Sequence, residues 1–227
     1  MTTSEERSEM EPFHTAENET SEESAKKHWE EGYRQRDRIW SGRVNARLAE
    51  IVAGLAPGRA LDLGCGEGGD TMWLAEQGWQ VTGVDISDTA LARAAAHAAE
   101  RGLTDRVRFE QINLSESFPD GRFDLVSAQF LHSTVDLDRD RIFASAARAL
   151  APGGALVIVD HGAAPPWSDP AVHDHVFPGV EEVLDAIDLG DGQWEQVRVE
   201  AVDRDAVGPD GQPAVLTDNV IVLRRVR

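Results

Sequence analysis

Ala60-Leu61-Asp62-Leu63-Gly64-Cys65-Gly66-Glu67-Gly68-Gly69-Asp70 places an apolar strand, a carboxylate and a glycine-rich turn in one short run. Leu61 and Leu63 alternate around Asp62 as they would in a strand, and the glycines let the backbone turn tightly into a helix beginning near Gly69. Such a turn presents backbone amides at a helix N-terminus, which is how nucleotide-type cofactors are held. The glycines fit two spellings. One is Gly64-x-Gly66-x-x-Gly69, the dinucleotide fingerprint, and the other is Asp62-x-Gly64-x-Gly66-x-Gly68.

Asp62 separates the two. A carboxylate two residues before the first glycine repels a pyrophosphate, whereas the ammonium group of a methionine moiety wants an anion there. The second spelling, that of S-adenosylmethionine (SAM) sites, is therefore favoured, and a dinucleotide oxidoreductase is kept as the weaker alternative. Asp85 ends the next apolar run, about 20 residues after the glycines, where a carboxylate accepts hydrogen bonds from ribose hydroxyls in either cofactor.

Composition narrows the partners. At 227 residues the chain suits one domain with an N-terminal extension and is short for two. Its net charge of -19 is concentrated at residues 1–31, with ten acids, and 160–211, with thirteen, a field that repels nucleic acid and anionic membranes. Cys65 is the only cysteine, so an intrachain disulfide and a cysteine metal cluster are excluded, and a reducing cytoplasm is expected. The first residues lack the basic start and apolar core of a targeting signal, and no apolar run approaches the length of a membrane span.

Residues 1–24 are rich in Ser, Thr and Glu and are expected to form a disordered acidic tail, because they cannot bury enough surface to offset ordering entropy. Residues 25–56 read as two helices carrying Trp29, Tyr33 and Trp40, with Val44, Leu48, Ile51 and Val52 at helical spacing. Strands are expected at 59–63, 80–85, 107–112, 123–128 and 155–159, with helices at 70–76, 87–101 and 138–150 between them, the alternation of a doubly wound parallel sheet. A helix at 180–187 and strands at 193–202 and 213–225 follow. The last two strands, joined by a short connection through Gly208-Pro209-Asp210-Gly211, should be antiparallel.

The chain resembles the class I SAM-dependent methyltransferases over residues 25–227. The resemblance rests on Asp62-Leu63-Gly64-Cys65-Gly66-Glu67-Gly68, on Val84-Asp85-Ile86-Ser87, on Phe123-Asp124-Leu125-Val126 and on Leu150-Ala151-Pro152-Gly153-Gly154. It implies an α/β, Rossmann-like fold whose seven-stranded, mostly parallel sheet ends in an antiparallel C-terminal hairpin strand. Trp29 to Tyr33 followed by Trp40-Ser41-Gly42-Arg43-Val44-Asn45 further resembles the N-terminal lid of small-molecule enzymes related to the tellurite-resistance, thiopurine and halide or thiol methyltransferases. The resemblance implies that Gly64, Cys65 and Gly66 line the methionine half of SAM, Asp62 holds its ammonium group and Asp85 takes the ribose hydroxyls. Ile86 would pack on the adenine, Ile112 and Asn113 would lie at its amino group, Gln129 would stand near the methyl donor and Trp40 would close the lid, unless it merely plugs the core.

Methyl transfer from a sulfonium is an in-line displacement that gains most from holding the two partners in a dry pocket. A thiolate or halide acceptor needs no base; a hydroxyl or amine does. His132 and His161 follow the fourth and fifth strands, where open α/β sheets bind ligands, and are the candidate bases, although each also suits a loop histidine bonded to backbone. The loop at 162–179 carries Trp167, His173, His175 and Phe177 and should cover the acceptor. The spacing of its histidines gives no reason to assign a metal. The expected protein is a cytoplasmic enzyme, monomeric or homodimeric, that methylates a small molecule; a SAM-binding sensor or partner subunit without turnover is the alternative.

Overall fold

Apolar runs of five to seven residues alternating with amphipathic helices dictate a layered molecule, because each strand has two faces to bury and each helix one. The computed structural model describes residues 21–133, 135–168, 177–208 and 210–226. Its elements run α1 (Ser21–Arg34), α2 (Ala46–Val52), β1 (Arg59–Leu63), α3 (Gly69–Glu76), β2 (Gln80–Asp85), α4 (Asp88–Glu100), β3 (Val107–Gln111), β4 (Phe123–Gln129), α5 (Arg139–Ala149), β5 (Leu150–His161), α6 (Val180–Ala186), β6 (Trp194–Val207) and β7 (Pro213–Arg225).

The strands form one sheet in the order β3-β2-β1-β4-β5-β7-β6. Pairings among β1 to β5 are parallel, while β7 runs antiparallel to both β5 and β6. The expected mostly parallel sheet with an antiparallel C-terminal hairpin is what forms. Strand alternation then divides the core. Leu61, Leu63, Val126, Ala128, Leu156 and Ile158 face α5 and α6, whereas Ala60, Leu125, Val157 and Val159 face α2 and α3. By the same alternation Asp62 points toward α3 and Asp160 toward α5, so these two carboxylates inherit their directions from the pleat.

Three boundaries differ from the sequence reading. Residues 21–24, assigned to the acidic tail, are the first turn of α1, because a composition too polar for a core still permits a helical backbone continuing from the docked turn at Ala25. Residues 1–20 of that tail, with His173 and His175, lie outside the described residues. β5 begins at Leu150 rather than 155: Leu150 pairs with Phe123 and Ala155 with Leu125, so residues 151–154 form an excursion that Gly153 turns at φ 85°. β6 extends to Val207, since β7 offers it an edge along its whole length.

Candidate functional site

The order of strands reverses between β1 and β4, which opens a crevice at their carboxyl ends. Gly64, Gly66 and Gly68 climb out of β1 at φ 67°, 52° and 81°, conformations that cost a residue with a Cβ. Close approach adds a second reason. A Cβ at Gly64 would stand 2.6 Å from Leu131 Cδ1, and one at Gly66 would stand 2.9 Å from Tyr33 Oη and 3.1 Å from the Trp40 indole.

Asp62, 2% exposed, accepts a hydrogen bond from the Thr71 hydroxyl at 2.6 Å. Asp85 accepts from the amides of Gly66 at 2.8 Å and Ser87 at 3.0 Å, which ties the glycine turn to the loop after β2. Asp70, in the first turn of α3, accepts from the Asn45 amide at 2.6 Å. Burial raises the carboxyls of all three above the ordinary range, and Asp70 and Asp85 push Asp62 further in the same direction. None of the ion pairs among the described residues reaches Asp62, Asp70 or Asp85. The site is thus electrostatically set for a cation.

α1 and the segment after it lie across this end. Glu30 accepts from the Thr89 amide and, at 2.5 Å, its hydroxyl, which docks α1 on the start of α4. Trp29 Nε1 donates to Ser133 on the β4 side. Glu67, 3% exposed, accepts from the amides of Ile39 and Trp40, each at 3.1 Å, and from Arg93 at 3.0 Å, while Arg93 also donates to the Tyr33 carbonyl. Trp40 Nε1 donates to Tyr33 Oη at 2.9 Å. The residues over Gly64 and Gly66 are therefore Leu131, Tyr33 and Trp40, the last two tied to Glu67, a carboxylate of the turn itself, directly or through Arg93. A hollow of about 410 Å³, open to solvent, lies on α1 among Lys26, Lys27, Glu30, Glu31 and Arg34 and is lined by none of the glycines of the turn.

The remaining expected cofactor residues line the same end. The Ile112 amide donates to the Asp85 carbonyl at 3.0 Å, and Gln111 donates to the carbonyl of Ile86. Asn113 Oδ1 already accepts from the Ser115 amide, so one lone pair and the amide NH2 remain for a ligand. The thiol of Cys65 packs against Gly83, and burial with Asp85 and Asp62 raises it, which suits packing rather than nucleophilic attack. Gln129 donates to Ser127 at 3.0 Å and leaves Oε1 buried without a partner.

At the carboxyl ends of β4 and β5 a second cluster forms. Phe130 sits at φ 53°, a costly conformation for a phenylalanine, and stacks on His161 with 4.2 Å between ring centroids. His132 stacks on the other imidazole at 5.8 Å, and Phe177 meets both edge-on. The two candidate bases are thus brought together. His132 Nε2 lies 3.3 Å from Asp160 Oδ1 and accepts from the His161 amide at 3.4 Å, and Arg139 pairs with Asp160 Oδ2. Burial lowers His161, with Asp218 and Arg204 opposing each other beside it. Asp218 is bound by Arg204 at 2.8 and 3.0 Å and lies 3.5 Å from Arg47.

Sequence reading missed Tyr33 and Glu67 as parts of the site, and Phe130, Arg139, Asp160 and Asp218 altogether. Glu67 carried a signal, being an acid inside a glycine turn. The others carried none: Arg139 and Asp160 lie 21 positions apart, Asp218 lies 14 from Arg204 and Tyr33 lies 7 from Trp40, spacings that announce no contact, and for Phe130 the feature is a backbone angle.

Residues 60–154 match a family model described as a methyltransferase domain. The chain is 35% identical over 151 residues to the 2-heptyl-1-hydroxyquinolin-4(1H)-one methyltransferase of Mycobacteroides abscessus, covering 64% of this chain and 66% of that protein. It spans between 29% and 66% of the lengths of the first four curated relatives it matches. A structure reported under "Conversion of a Disulfide Bond into a Thioacetal Group during Echinomycin Biosynthesis" superposes with a TM-score of 0.66 at 25% identity, over 88% of this chain and 91% of that one. TehB from Haemophilus influenzae shares the fold, with a TM-score of 0.64 at 16% identity over 80% of this chain and 62% of its own.

Proposed function

The chain belongs to the class I SAM-dependent methyltransferases, and from that premise we propose that it methylates a small-molecule acceptor held against the rings at the ends of β4 and β5. The observation that carries the cofactor assignment is the trio Asp62, Asp70 and Asp85, buried at one glycine turn without a cationic partner among the described residues. SAM, when bound, supplies an electrophilic methyl group on a sulfonium and brings an ammonium group to the carboxylates. Asp62 would face that ammonium and Asp85 the ribose hydroxyls; Ile86 and Ile112 would flank the adenine, with Asn113 at its edge. Gly64, Cys65 and Gly66 would line the methionine half, beneath Tyr33 and Trp40.

Three features support the acceptor side. The quinolinone enzyme acts on a planar ring compound, as its name states, and Phe130, His132, His161 and Phe177 offer rings for stacking. Tyr33, buried, and Trp40, 51% exposed and so a cover rather than a plug of the core, lie over the glycine turn, and a site dried by such a cover strengthens the positioning on which displacement depends. His132 and His161 stand ready to take a proton. No helix among the described residues is long and apolar enough to cross a membrane, and the single cysteine fits the cytoplasmic setting that belongs to this reading. Calorimetry tests it: SAM and S-adenosylhomocysteine should both give heats of binding, NADH none. Absence of binding by both at millimolar concentration would sink the assignment.

A further inference from the structure

His132, Arg139 and Asp160 come from a loop, a helix and a strand, and meet only in the fold. Resting on the methyl-transfer reading, we propose that Asp160, held by Arg139, positions His132 as the proton acceptor, and that the acceptor substrate accordingly carries an O–H or N–H rather than being a halide.

Asp160 is 1% exposed and reaches β5's α5 face by strand alternation, where Arg139 binds one oxygen. Its other oxygen is buried without a hydrogen bond and stands 3.3 Å from His132 Nε2. A buried carboxylate oxygen without a donor is costly, and a proton on His132 Nε2 at that distance relieves the cost, most strongly when the ring is the charged imidazolium. A ring with Nε2 unprotonated has its own partner at the same nitrogen, the His161 amide at 3.4 Å. Nε2 thus stands between a donor suited to its bare form and an acceptor suited to its protonated form, and a proton held there toward Asp160 leaves Nδ1 to take the acceptor's proton. Among the described residues the other charged groups facing the pair are Arg139 from α5, whose guanidinium also lies 5.1 Å over Phe143, and, behind His161, Asp218 of β7, Arg204 of β6 and Arg47 of α2. Those last three neutralise one another in part, and Asp160 is, among the described residues, the carboxylate in ion-pair range of His132.

In the reaction the acceptor's O–H or N–H bond breaks with its electron pair remaining on oxygen or nitrogen, and the proton passes to the His132 imidazole. That electron pair forms the new bond to the methyl carbon as the sulfur–methyl bond breaks and its pair goes to sulfur. The imidazolium, paired with Asp160, returns its proton to solvent after product release. Asp160 and Arg139 are positioning residues and touch neither partner.

The test is a histidine NMR titration of the full chain with S-adenosylhomocysteine, His132 and His161 being assigned with His132→Gln and His161→Gln. In the unmodified protein the midpoint of His132, beside Asp160, should lie above that of His161, which burial lowers. Asp160→Asn should lower the His132 midpoint by about one unit and carry the acid limb of the pH–rate profile down with it. Turnover of hydroxyl and N–H acceptors should fall at least about 100-fold in His132→Gln. A His132 midpoint at or below that of His161 in the unmodified protein overturns the proposal even if Asp160→Asn fails to fold. So does an unmoved midpoint in Asp160→Asn, or turnover of iodide but not of hydroxyl or N–H acceptors. Failure of the cofactor assignment is separate, since it appears as the absence of a binding heat for S-adenosylhomocysteine.

Discussion

The carboxyl ends of β1 and β2 and those of β4 and β5 both gather buried carboxylates, but they treat them in opposite ways. Asp160 and Asp218 each have an arginine, Arg139 in one case and Arg204 with Arg47 in the other. Asp62, Asp70 and Asp85 are answered by hydroxyl and amide hydrogen bonds, without an ion pair among the described residues. Charges that fold with their partners stabilise a site, while charges left without a counter-ion select what binds there. The same sheet therefore presents a balanced end, suited to an uncharged or ring-shaped acceptor, beside an end poised for a cation.

The largest effect that separates the two ends is on stability. Asp218→Ala removes the partner of Arg204 and Arg47, both partly buried, and should cost about 3 kcal/mol, the low end for a broken buried pair because Arg204 still reaches solvent. In a chain of this size that is a melting temperature lower by roughly 6–12 °C, with S-adenosylhomocysteine still bound. Asp62→Asn should do the reverse, leaving the unliganded melting temperature near or above that of the unmodified protein at pH 8 while binding is lost. If Asp218→Ala melted unchanged, the claimed balance of the acceptor end would be wrong.

Next comes cofactor affinity. Asp85→Ala should weaken S-adenosylhomocysteine by about 100-fold, the equivalent of two hydrogen bonds to a charged acceptor. Glu67→Gln acts on the same end through the lid. It keeps an acceptor for the amides of Ile39 and Trp40, which share Oε2, but loses the oxygen and the charge that bind Arg93. About tenfold weaker binding is expected, from one charge-assisted bond. An affinity unchanged in Glu67→Gln would separate the lid from the cofactor site.

The two ends also differ in how far sequence reveals them. The cofactor end is contiguous: Asp62 to Gly69 and Val84 to Ser87 lie in short runs whose spacing is set by one strand, one turn and one helix. A glycine pattern reports such local geometry directly. The acceptor end is assembled across the chain, His132 with Asp160 and Asp160 with Arg139, and no spacing announces these pairs because strand register and helix phase create them. His132 and His161 could be placed at the right end of the sheet by topology alone, but not their stacking or their shared neighbour. Phe130 was invisible for another reason: its strained backbone is imposed by the amide it donates to Val159 and by the ring it stacks on.

The smallest expected effect concerns pH and tests the unpaired trio itself. Folded-state values of Asp62, Asp70 and Asp85 are raised, so their contribution to stability is complete below the ordinary carboxylate value near 4 and is lost as pH rises through the raised values. Without ligand the protein should accordingly lose stability from mildly acid toward alkaline pH at this site. A ligand that brings a cation to the carboxylates favours their charged forms and cancels part of that loss. The melting-temperature increase produced by SAM or S-adenosylhomocysteine, both of which carry an ammonium group, should therefore be larger at pH 8 than at pH 5.5 by about 1–3 °C. Adenosine, which lacks the ammonium, should show no such growth. An increase of the same size at both pH values for all three ligands would mean that the trio does not sense the cation, and the contrast between the two ends of the sheet would lose its electrostatic basis.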